Sequence, residues 1–188
     1  MTRTIRLTLP AALLALAACA SGGQNYHDKN MDFGSVRTVA VMPIVNLSRD
    51  NLAGERVRDV ITSMMLASGA FYVVPQGEVI RVVAKAGVLN PATPTVEDVV
   101  KFGTILKVDA VITGTVKEYG EVRAANASGN VIALSLTMQE CATGKIVWTG
   151  TTTRGGVTWR DRLLGGGGAP LNEVTETAVD DLISKLFK

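Results

Sequence analysis

The chain has 188 residues, of which 47% are apolar, 19% charged and 5% aromatic; this excludes a disordered polymer and suits one folded domain. Lys and Arg total 19 against 17 Asp and Glu, and Arg3 and Arg6 supply the whole +2 surplus. The remainder is neutral, which excludes a general electrostatic attraction for nucleic acid, and a single histidine leaves little room for acid–base or metal chemistry.

Residues 1–6 carry two positive charges and no negative one, and residues 7–18 form an uncharged Leu/Ala-rich run too short to span a bilayer. The run ends in Leu16-Ala17-Ala18-Cys19, followed by Ala20-Ser21-Gly22-Gly23. Small residues admit a protease to an extended backbone, and the cysteine offers an alkylatable thiolate. The arrangement resembles the lipobox of bacterial lipoproteins. That resemblance implies a signal peptide over residues 1–18 and a diacylglycerol on the Cys19 sulfur, with no other cofactor. Ala20, standing where an aspartate would signal otherwise, implies the outer membrane. Residues 19–35 show no apolar period and are predicted to be a lipidated flexible tether reaching about 20–25 Å. His27 lies within it, without predicted neighbours. With Cys19 acylated, Cys141 is the remaining thiol, and its place in the apolar run 131–141 predicts a small buried hydrophobe.

Residues 36–188 read as one α/β domain. Residues 36–45 (VRTVAVMPIV) are apolar and β-branched, as in a central strand buried on both faces. Ser48, Asp50 and Asn51 are N-cap candidates for a helix running to about residue 68, with Val57, Val60, Ile61, Met64 and Met65 inward. Gly69 ends it, and residues 71–75 form a second strand. A second helix is expected over 76–86, with Val79, Ile80, Val82 and Val83 inward. Thr95 and Asp98 form a capping-box-like start for a third helix to about residue 107. Strands follow at 110–119, 130–141 and 145–154, with a polar loop over 120–129 and a tight turn at Ala142-Thr143-Gly144. Residues 155–170 form a glycine-rich loop, and residues 171–187 close the chain as an amphipathic helix. The order β-α-β-α-α-β-β-β-α predicts a mixed sheet of about five strands flanked by about four helices.

Four glycines at 165–168 lack the Lys-Ser/Thr of a phosphate loop, and Thr143-Gly144-Lys145 opens a strand where such a loop opens a helix. The adjacent carboxylates Glu97-Asp98 and Asp180-Asp181 cannot share a helix face and are expected to be solvated. No catalytic constellation or metal site emerges, so the chain is not expected to be an enzyme.

Several segments together carry a wider resemblance. Val39-Ala40-Val41-Met42-Pro43 with Asn46, the run Ser68–Val74 with its F-x-V-V step, Phe102-Gly103 through Val108-Asp109-Ala110 to Val116, and Ala142-Thr143-Gly144-Lys145-Ile146-Val147-Trp148 occur in the order found in the CsgG/LpoB/PelC group of periplasmic lipoproteins. The match covers residues 36–154. Glu140-Cys141 departs from the group's aspartate before the Thr-Gly turn. The resemblance implies outer-membrane anchoring with the domain facing the periplasm, self-association, an envelope protein partner, and a role in secretion or in activating wall synthesis.

The chain has no spare pair of alternating hairpins for a pore, and its short tether does not suit a reach through the cell wall, so compact PelC-type members fit its layout best. The expected role is an accessory component of an envelope export system. The alternatives are an activator of a cell-wall synthase and a small ligand-binding envelope lipoprotein. Trp159, Arg160, Arg162, Leu163 and Leu164 lie in the glycine-flanked loop, where they suit a membrane or partner contact. The alternative is that Trp159 packs on the sheet while Leu163 and Leu164 cover the closing helix.

Overall fold

A computed structural model describes residues 24–124, 127–157, 163 and 168–187. Among these, seven strands form one sheet flanked by four helices. The strands are β1 (Asn25–His27), β2 (Thr38–Val41), β3 (Val45–Asn46), β4 (Tyr72–Val73), β5 (Ala110–Ala124), β6 (Ala127–Glu140) and β7 (Ile146–Gly155). The helices are α1 (Ala53–Ser68), α2 (Gln76–Ala86), α3 (Val96–Leu106) and α4 (Leu171–Leu186), and a single 3-10 turn spans Phe33–Ser35. The mixed α/β domain and its element order are as expected; the sheet gains β1 and β3.

The sheet order is β1-β7-β6-β5-β2-β4, with β3 following β2 along the same edge of β5. β2, β3 and β4 run parallel to their partners, whereas β5, β6, β7 and β1 form an antiparallel meander. Alternate residues of β2 enter two separate cores. Val39 and Val41 pack with Val57 and Ile61 of α1 and Val174 and Leu182 of α4. Ala40 and Met42 pack with Val79 of α2 and Val99 and Phe102 of α3. Both faces of β2 are therefore covered, which is why its sequence is apolar without alternation. All buried members of both cores lie within residues 36–186.

The strand expected over 36–45 is interrupted. Pro43 has no N–H to donate, so β2 ends at Val41 and pairing resumes at Val45 opposite Thr115. The break is stabilised from α1. Arg58 is buried, and its Nε and Nη2 donate to the Val41 carbonyl at 3.0 and 2.7 Å. Asp50 prepares the start of α1 by accepting the Leu52 N–H at 2.9 Å and pairing with Arg56. Helices α2 and α3 start as expected, and Thr95 and Asp98 complete a capping box. Ile80 departs from expectation. It is exposed, because it sits a full helical step away from Val79, the residue that reaches the core.

The polar segment 120–129 is not a loop. β5 and β6 continue through it to Ala124 and Ala127, past the last paired residue of β7 at Gly155. Glu121, Val122 and Arg123 on its β5 side are exposed, whereas Ala127 and Gly129 on its β6 side are buried, with Gly156 packed close to Gly129. A register shift between Val116 and Glu118 interrupts the β5–β6 ladder before Tyr119 and Ile132, which still pack in the core.

The tether reading also changes. β1 pairs antiparallel with β7 (Asn25 with Gly150, His27 with Trp148), and the 3-10 turn follows, so residues 25–35 belong to the domain. His27 consequently has neighbours. Its Nε2 donates to the Lys185 carbonyl at 2.8 Å, and its ring lies edge-on to Phe33 and Trp148.

Candidate functional site

Signal peptide, Cys19, Trp159, Arg160, Arg162 and Leu164 fall outside the described residues. What the structure provides is the scaffold around them. It gathers the exit of the N-terminal segment, the ends of the glycine-rich loop and the β5–β6 hairpin at one end of the sheet.

The exit is fixed by the last residues of β7. Thr151 donates to the Gln24 carbonyl from its backbone N–H at 3.0 Å, and its hydroxyl lies 3.4 Å away. Because β1 runs antiparallel to β7, the chain upstream of Gln24 leaves on the side of Thr152 to Gly155. That is the end at which the hairpin projects.

The loop after β7 is secured at both of its ends. Gly156 donates to the Asn130 carbonyl at 2.7 Å, and the Asn130 side chain donates to the Ala169 carbonyl at 2.9 Å. Gly155 makes this possible. Its φ is +83°, and a Cβ there would lie 2.0 Å from the Asn130 carbonyl oxygen. Within the loop, Leu163 is 75% exposed. Val122 and Arg123 on the hairpin are exposed as well, the latter paired with Glu121.

Asp181 anchors this end to α4 and is not the solvated carboxylate expected. It accepts from Arg154 of β7 and, at 2.7 Å, from Lys185 one helical turn on. Burial alone would raise its carboxyl pKa, but hydrogen bonds from Lys185, Thr152 and Arg154 outweigh that and hold it below the usual range. A carboxylate with a depressed folded pKa adds stability that is complete above about pH 4 and is lost as pH falls through the folded value. The melting temperature should therefore drop more steeply below about pH 4 in the wild-type chain than in Asp181→Asn. Parallel curves for the two proteins would contradict this.

Cys141 is buried, as predicted. Burial first, then the nearby Asp109 and Glu140 charges, push its thiol up to about 12, which leaves it protonated and unreactive at neutral pH. Asp109 instead acts on the backbone, accepting the Arg37 and Thr38 N–H groups at 2.8 and 2.9 Å where β2 begins. Arg58 and the Asp181 pairings were missed in the sequence; the i,i+4 spacing of Asp181 and Lys185 was the one local signal available, whereas the contacts of Arg58 with Val41 and of Asp181 with Arg154 are distant in sequence.

The profile of the GNA1162-like lipoprotein family matches residues 30–181. Among solved structures, the PelC dodecamer from Paraburkholderia phytofirmans superposes with a TM-score of 0.59 at 14% identity, over 87% of this chain and 96% of that one. Lipoprotein GNA1162 from Neisseria meningitidis superposes with a TM-score of 0.56 at 22% identity, over 79% and 98% of the two chains. The hypothetical protein CT253 from Chlamydia trachomatis superposes with a TM-score of 0.54 at 10% identity, over 81% and 96%. At these identities the likeness is one of fold. No curated protein matched the sequence.

Proposed function

The chain belongs to the GNA1162-like lipoprotein family, and from that premise we propose that it is a lipid-anchored, periplasm-facing component of an envelope export assembly, working by self-association and protein binding rather than by catalysis. Cys19 carries the lipid, and the membrane is the outer one. The observation that supports this arrangement most is the pinned exit at Gln24. Four residues separate Cys19 from Gln24, and the five Cα-to-Cα steps span at most about 18 Å in any conformation. The domain therefore rests against the bilayer instead of hanging from a long tether. The end presented to the headgroups carries the hairpin, the exposed Leu163 and the anchored loop ends at Gly156 and Ala169, and the sequence between those ends contains Trp159, Arg160, Arg162 and Leu164.

A Trp–Arg–Leu composition suits that depth, with an aromatic ring among headgroups and guanidinium groups on phosphates. Self-association draws support from PelC, which has this fold and was solved as a dodecamer. A neutral domain does not resist association by charge. Light scattering on the mature chain carrying Cys19→Ser, which removes the lipid and keeps every described residue, tests the assembly. A mass of several protomers at high protein concentration is expected; a strict monomer at every concentration would contradict it.

A further inference from the structure

The opposite end of the sheet holds a cavity of about 510 Å³ between the segment after β1, the turn joining α1 to β4, and the end of α4. Phe33, Phe71, Leu186 and Phe187 form apolar walls, and His27 and Arg37 are its polar residues. Phe71 packs against the core and stacks on Phe187 with centroids 5.5 Å apart, and Phe187 remains 52% exposed, so the pair carries an aromatic surface from the core edge to the cavity. The volume lies in the range of small-molecule sites, and apolar walls with a few converging polar groups are their usual lining.

The polar groups define the ligand. The His27 Nε2–H is committed to the Lys185 carbonyl. Lys185 Nζ is committed to Asp181 and, at 3.3 Å, to the Thr151 carbonyl. The Arg37 guanidinium meets no carboxylate among the described residues. The Arg37 backbone is held by Asp109, which fixes where its side chain starts. One available guanidinium matches one planar carboxylate in a two-pronged pair, whereas a phosphate dianion would call for a second cation.

We propose that this cavity binds a medium-chain carboxylate, with its head on Arg37 and its chain between Phe33 and the Phe71–Phe187 pair. The site lies away from the hairpin end and does not depend on the assembly reading; a monomeric protein would bind equally well.

Calorimetric titration of the mature Cys19→Ser chain with decanoate, kept below its micelle concentration, tests it against decanol. Saturable 1:1 binding of decanoate is expected, with decanol weaker by about tenfold or more, the scale of one charge-assisted pair. Arg37→Gln should weaken decanoate by a similar factor while leaving decanol unchanged. Phe187→Ala should weaken both. Neither substitution should move the melting temperature by more than about a degree or two, because both side chains are exposed. Absence of saturable decanoate binding, equal binding of decanol, or indifference to Arg37→Gln would each overturn the proposal.

Discussion

Cys19→Ser should convert a membrane-bound protein into a soluble periplasmic one, or leave an unprocessed precursor. Each buried acyl methylene contributes about 0.8 kcal/mol, so several chains hold a protein on a bilayer almost permanently while none of the polar contacts described here would. The sulfur is also the acceptor whose modification precedes signal cleavage in the lipoprotein pathway that Leu16-Ala17-Ala18-Cys19 resembles. The expected effect is thus nearly all or none in a fractionation of cells expressing each protein. A processed Cys19→Ser chain that still sediments with the outer membrane would mean that the anchor lies elsewhere.

Trp148→Ala should have the largest effect on stability. Among the described residues Trp148 is the largest fully buried side chain, 1% exposed, and it packs within the core that joins the sheet to α1 and α4. Gly150, two residues on, leaves room for it; a Cβ there would approach the indole to 2.7 Å and Leu182 to 3.0 Å. Truncating a residue so enclosed costs about 3–5 kcal/mol, a large share of the about 5–15 kcal/mol that holds a domain folded. Trp148→Phe provides the contrast. The Trp148 Nε1 has no hydrogen-bond partner among the described residues. Phenylalanine keeps most of the packing and removes a donor whose unsatisfied burial costs about 1–3 kcal/mol. Urea unfolding should place Trp148→Phe close to wild type and Trp148→Ala far below it; equal losses would show that the indole N–H is satisfied after all.

The parts of the fold that were legible in the sequence are those with a local cause. The capping box at Thr95 and Asp98, the glycines that end α1 and α2, and the turn at Gly144 each impose a boundary through their own backbone chemistry, and each stands where expected. The parts that were not legible depend on a partner. Asn25–His27 has no apolar alternation, and only the exposed edge of β7 makes it a strand. Residues 120–124 and 127–129 look like a loop by composition, yet they pair as a ladder that continues β5 and β6. Pro43 hides in an apolar run, and the break it causes shows only through the registers of β2 and β3 on β5. Asp181 has a local partner in Lys185, four residues on, but its second partner, Arg154, lies 27 residues away in sequence.

The candidate site divides in the same way. Cys19 is marked by the motif around it, whereas the direction in which its segment leaves the domain follows from the Gln24–Thr151 contact, which no sequence pattern announces.

The central claim is that a lipid on Cys19 holds this domain against a membrane. The most direct measurement is the mass of the N-terminal proteolytic fragment of the mature protein extracted from cell membranes. The expected fragment begins at Cys19 and is heavier than its sequence by a thioether-linked diacylglycerol and an acylated amine. An unmodified fragment beginning at Ala20 or later, or an intact residue 1 in membrane-extracted protein, would contradict it.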